Sequence, residues 1–158
     1  MQAQYPHQPG YPSMPPQFPS MPSAHLESHG DRKECPKEQI ITHWNPNDRN
    51  SHLLGGFYYN NAGALTVPYT GRYYVYAQLY FVSRPSLSKN RVFVMAGNRV
   101  LLMINKDLPG GPIEETGTAG GVFVLSAGEQ ISVKPTVYDT ALWFGTSHCY
   151  FGAYMVSA

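Results

Sequence analysis

The sequence predicts an all-β domain, a sandwich of short antiparallel strands. Three observations predict it. The apolar runs are short and punctuated by Gly, Pro and Asn. No window shows the 3.6-residue period of an amphipathic helix. The two clearest strands, Tyr73–Val82 and Cys149–Val156, each carry an apolar face opposite a tyrosine-bearing one.

Residues 1–23 hold seven of the 14 prolines, set among Gln, Tyr, Ser and Met. Such a segment cannot bury a core and reads as a disordered, Pro-rich tail or linker. The domain is expected over residues 24–158. Gly56–Tyr59 and Ala64–Val67 form a hairpin around the turn Asn60-Asn61-Ala62-Gly63. A long strand, Tyr73–Val82, follows. Arg91–Met95 and Arg99–Ile104 are joined as a second hairpin by Ala96-Gly97-Asn98. A third hairpin is expected to join Gly121–Leu125 to Gln130–Val133 through Ser126-Ala127-Gly128-Glu129, and the last strand is Cys149–Val156.

In the long strand, Tyr73, Val75, Ala77, Leu79 and Phe81 share one face, an ordinary sandwich interior. Tyr74, Tyr76, Gln78 and Tyr80 share the other. In the last strand Phe151, Ala153 and Met155 oppose Tyr150, Gly152, Tyr154 and Val156. Tyrosines bring large area, few rotamers to freeze and a hydroxyl, which suits a face covered by a partner. The two strands are therefore expected in one sheet with both sides covered.

Composition points the same way. Charged residues make up 13% of the chain, against about 25% in an average soluble domain, while Tyr alone supplies 12 residues. The net charge of +1 gives no basic surface for nucleic acid or an anionic membrane. No apolar run approaches the roughly 18 residues of a membrane span, and no signal peptide or glycosylation sequon is present. With two cysteines, Cys35 and Cys149, the chain is neither a disulfide scaffold nor a zinc cluster.

Nothing in the sequence supports catalysis or a cofactor. His7, His25, His29, His43, His52 and His148 show no metal-ligand spacing, so no metal site is expected, and His25 and His43 read as structural. Gly110-Gly111 and Gly120-Gly121 open no helix, so they form no phosphate cradle. Cys149 has only His148 as a basic neighbour, a weak sign of a nucleophile.

The run Leu65-Thr66-Val67-Pro68-Tyr69-Thr70-Gly71-Arg72-Tyr73-Tyr74-Val75-Tyr76-Ala77-Gln78 resembles the signature of tumour necrosis factor ligands, departing from it at Arg72, where the family has an apolar residue. Ala24-His25-Leu26 is similar to that family's opening strand and His43-Trp44 to its early Trp segment. Ala119–Leu125 with Gly128–Val133 resembles its GGVF strand pair, and Tyr150–Tyr154 its terminal strand. The short hairpin at Ala96-Gly97-Asn98 resembles the ectodysplasin-like branch, although the cysteines of that branch are not reproduced; a divergent, invertebrate-type member is implied.

The resemblance implies a jelly-roll sandwich of about ten antiparallel strands that assembles as a homotrimer, with Tyr74, Tyr76, Gln78, Tyr150, Tyr154 and Val156 toward the threefold axis and Phe123 at the edge of a neighbouring subunit. It implies an extracellular cytokine-like ligand, secreted or the ectodomain of a membrane protein whose anchor lies outside this chain, that clusters cysteine-rich receptor ectodomains. The matching receptor-facing loops are residues 27–39, 83–90 and 137–147, with Arg32, Lys33, Arg84, Lys89, Leu142, Trp143 and Phe144 as candidate contacts. Trp143 and Phe144 equally fit a cap on the sandwich end. Within that fold Cys35 and Cys149 come close enough for a disulfide, two free thiols being the alternative. A complement-type globular head and a structural coat-type jelly roll are the rival readings.

Overall fold

The structure, a computed structural model, describes residues 21–158. Most of the segment read as a tail, with His7, lies outside the described residues; the first strand begins at Ser23. The strands in order are β1 (Ser23–Ser28), β2 (Arg32–Cys35), β3 (Trp44–Asn45), β4 (His52–Leu54), β5 (Tyr58–Tyr59), β6 (Leu65–Thr66), β7 (Gly71–Val82), β8 (Ser88–Ala96), β9 (Arg99–Leu108), β10 (Glu114–Leu125), β11 (Gln130–Pro135), β12 (Thr140–Trp143) and β13 (Tyr150–Ser157). Every pairing is antiparallel.

One sheet runs β2-β12-β7-β13-β1-β3, with β10 along the other side of β7 and β4 beside β1; the second runs β5-β6-β11-β8-β9. This is the expected two-sheet jelly-roll sandwich. Burial alternates along β7 as read from the sequence: Tyr73, Val75, Ala77, Leu79 and Phe81 are buried and their neighbours are not. Phe151, Ala153 and Met155 of β13 join them, and β8 and β11 contribute Val92, Val94, Ile131 and Val133 from the facing sheet. Burying each of the Val, Leu, Ile, Phe and Met side chains among these contributes about 1.5–3 kcal/mol.

Two of the three expected hairpins are present, β5–β6 and β8–β9. The third is not a hairpin: β10 pairs with β7 and β11 pairs with β6 and β8, in the opposite sheet. Ser126–Glu129 is instead a corner. Gly128 N–H donates to Val67 O (2.8 Å) and Val67 N–H to Glu129 O (2.9 Å), which captures the chain onto the second sheet. A tight turn uses the same residues whether its strands pair or diverge.

The segments read as loops 27–39 and 137–147 also contain structure. β2 and β12 lie within them and pair with each other, from Cys35 opposite Thr140 to Trp143 opposite Arg32. Four residues are too few to display a period, and three of the four in β2 are charged.

Candidate functional site

The tyrosine face lies on the outer side of the first sheet. Tyr74 stands opposite Tyr154 and Gln78 opposite Tyr150, while Tyr76 has Gly152 of β13 on one side and Gly120 of β10 on the other. The glycines make room for rings lying flat across the sheet. A Cβ at Gly120 would collide with the Tyr74 hydroxyl, and one at Gly152 would sit 2.5 Å from the Tyr76 hydroxyl. Tyr74 packs on Tyr154 (5.5 Å between centroids) and on Tyr76 (6.1 Å), and Tyr76 meets Tyr150 edge-on at 6.2 Å. The Tyr150 hydroxyl donates to Gln78 Oε1 at 3.1 Å, and Gln78 Nε2 donates to His148 O at 3.3 Å.

Beneath the tyrosines runs a polar chain that sequence reading missed. The Tyr76 hydroxyl lies 2.6 Å from His25 Nδ1, and His25 Nε2 lies 2.5 Å from Glu27 Oε2. Burial, with Tyr150 and Glu27 close by, raises the Tyr76 pKa and keeps it a neutral donor. Glu27 is buried, and its Oε1 has no partner among the described residues. His52 stacks on His25 at 6.3 Å and is held by Ser23 Oγ at 2.7 Å.

Around this organised centre the face stays apolar and open. Val122, Val124, Tyr154 and Val156 are exposed, the first two in register with Tyr74 and Arg72. Phe123 points the other way: it pairs with Tyr73 on the core-facing side of β10, half-buried and packed on the core. Its ring lies beside Gly121 and close to Leu102 of β9, whose neighbours Val100 and Met103 are exposed.

The candidate receptor contacts separate into three groups. Leu142 and Phe144 are core residues rather than exposed loop residues, both at 0% exposure. Leu142 stands opposite Phe81, and Phe144 packs on His43 (4.7 Å) and Trp44 (6.3 Å). Trp143, one position off in the strand, faces outward; Arg32 lies 4.6 Å over its ring, with His148 at 4.4 Å and Tyr80 at 5.4 Å. Arg32 also pairs with Glu114 at 2.5 Å, and Lys33 is exposed beside it. Arg84 and Lys89 lie elsewhere, in a groove shared with Lys37, Leu87, Val137 and Tyr138.

Cys35 and Cys149 are buried free thiols, so the disulfide is not formed. Cys149 donates to Trp143 O and accepts from Tyr80 N–H, each at 3.3 Å. Burial pushes both thiols up to about 12, which leaves them protonated at neutral pH. Among the described residues no group of His, Cys, Asp and Glu is placed to hold a metal ion, and no helix is long and apolar enough to cross a membrane. The arrangement offers surfaces for association.

Comparison with known proteins bears on the family and the fold. The model of the TNF (Tumour Necrosis Factor) family matches residues 42–156. The chain belongs to the tumour necrosis factor family. Lymphotoxin-alpha of Marmota monax is 32% identical over 149 residues, covering 84% of this chain and 69% of that protein. Lymphotoxin-alpha of Rattus norvegicus is 30% identical, covering 84% and 70%. The structure of Eiger TNF from S. frugiperda superposes with a TM-score of 0.71 at 15% identity, covering 86% of this TNF-family chain and 92% of that one, a likeness of fold.

Gly120, Gly152, His25 and Glu27 of this TNF-family domain had faint signals. The glycines break strands where a β-former is expected, and the His-x-Glu spacing places both polar groups on one face of β1.

Proposed function

We propose that this domain is an extracellular, trimeric, cytokine-like ligand that binds and clusters cysteine-rich receptor ectodomains of the tumour necrosis factor receptor type. The observation that carries the reading is the outer face of the first sheet. Around the ring stack of Tyr74, Tyr76, Tyr150 and Tyr154 it leaves Val122, Val124 and Val156 exposed. A sheet that faces water is ordinarily polar on that side, and a contiguous exposed apolar patch marks an association site.

A ring of identical subunits needs two different surfaces on each, because one patch must meet another. The second surface is the open β9–β10 edge, where Val100 and Met103 are exposed beside the half-buried Leu102 and Phe123. Packing this edge onto the tyrosine face of the next subunit removes apolar area from both at about 25 cal/mol per Å². Family membership supports the choice of three subunits and of a receptor ectodomain as partner.

Light scattering on the full chain tests this. The expected mass is three subunits, falling to one in Tyr154→Arg and Val122→Arg, which alter exposed positions and leave the sandwich folded. A folded wild-type monomer would remove the trimer, and receptor clustering with it.

A further inference from the structure

We infer that acid switches off assembly through the tyrosine face, with His52 as the group that takes up the proton. This rests on the trimer reading above and adds the regulation of the same face.

His52 of β4 stands in register with His25 of β1, and the two rings stack with centroids 6.3 Å apart. The two imidazoles have different surroundings. His25 has the Glu27 carboxylate 2.5 Å from Nε2 and the Tyr76 hydroxyl 2.6 Å from Nδ1, so a proton added there meets a negative charge already in place. His52 has Ser23 Oγ, 2.7 Å from Nε2. Glu27 is buried, its Oε2 is engaged by His25, and its Oε1 makes no hydrogen bond among the described residues. The titratable groups facing His52 are His25 and Glu27 from β1, Tyr74 and Tyr76 from β7, and Tyr150 and Tyr154 from β13; β10 brings Thr118 and Gly120. A proton on His52 would sit beside a second imidazole with no carboxylate of its own. Burial first, and His25 second, already hold His52 below the usual imidazole range.

His52 is half-buried and lines a groove of about 730 Å³ that opens on the tyrosine face among Tyr74, Tyr76, Tyr150 and Tyr154. In the separate subunit the groove is open to water, which solvates a charged ring. In the trimer the β9–β10 edge of the next subunit covers it. Val100, Leu102, Met103 and Phe123 bring no charge there. Arg99 beside them is engaged by Glu129 at 3.0 Å, and Lys106, Asp107, Glu114 and Glu115 lie at the opposite end of those strands.

Taking water from an imidazole without supplying a carboxylate penalises its charged form. The assembled subunit therefore binds this proton more weakly than the separate one, and acid favours separation by linkage. Above the His52 pKa of the separate subunit, assembly is independent of this group; below it, assembly weakens as the pH falls. That pKa already lies under the usual 6.5, so the loss falls on the acid side of pH 6.5. Each trimer carries three copies of His52, which steepens the response.

The test is light scattering on a dilution series of the full chain at pH 7.5 and pH 5.5, with near-UV circular dichroism as the record of folding. The wild type is expected to need about tenfold more protein for half-assembly at pH 5.5, the effect of roughly one unit of differential pKa, while its near-UV spectrum is kept. His52→Gln and His52→Asn keep a polar partner for Ser23 and take up no proton; both should assemble equally well at the two pH values. A wild type that is equally trimeric at both overturns the switch and leaves the trimer reading standing. Folded variants that lose assembly at pH 5.5 as the wild type does remove His52 from the account. Separation that occurs only as the near-UV signal collapses makes unfolding the cause, and the inference is wrong. A wild-type monomer at pH 7.5 overturns the trimer and the switch together.

Discussion

The hydroxyl of Tyr76 reaches Nδ1 of His25 at 2.6 Å, tying β7 to β1 across the strand that separates them. The strand crossed is β13, and the residue crossed is Gly152, which stands in register with both His25 and Tyr76. A residue with a side chain at that position would stand in the way of the bond.

Gly152→Ala is therefore expected to destabilise the domain by about 1–3 kcal/mol, the cost of overpacking, because its Cβ meets the Ala24 carbonyl as well as the Tyr76 hydroxyl. Tyr76→Phe keeps the ring and loses one hydrogen bond, about 0.5–1.5 kcal/mol. Guanidinium denaturation of both variants checks the order. A Gly152→Ala protein as stable as wild type would mean that β13 has room to move.

Leu142→Ala and Phe144→Ala should behave as core deletions, costing about 2–5 and 3–5 kcal/mol, since both side chains are fully buried. The same denaturation experiment measures this. Variants with unchanged stability and weakened receptor binding would return the pair to the surface.

Stability should fall on acidification from pH 7.5 to 5.5. Burial holds His43 and His52 below the usual imidazole range, with Lys33 and His29 adding to the effect on His43 and His25 to that on His52. Both take up protons more readily in the unfolded chain, so unfolding binds protons below the ordinary imidazole pKa of about 6.5. A His43→Asn, His52→Gln variant should lose less stability than wild type over the same interval. A wild-type midpoint that rises toward pH 5.5 would reverse the sign.

The native thiols should resist a thiol reagent at pH 8 and react on unfolding, because burial suppresses both thiolates. Mass spectrometry after labelling in guanidinium reads the result. An unlabelled chain lighter by two hydrogens would mean that Cys35 and Cys149 are joined.

By itself the sequence determined the strand character, the facing of β7 and β13, and the family. These rest on local facts: a strand turns each successive side chain to the opposite face, so Tyr74, Tyr76, Tyr150 and Tyr154 separate from Val75, Leu79 and Phe151 without knowledge of any neighbour. Only the tertiary structure decided that Ser126–Glu129 is a corner between sheets, that β2 and β12 pair, and that Leu142 and Phe144 are core while Trp143 faces outward. It alone disclosed the His25–Tyr76 bond over Gly152. Each of these depends on groups far apart in the chain. Residue type and spacing do not carry that information; packing does.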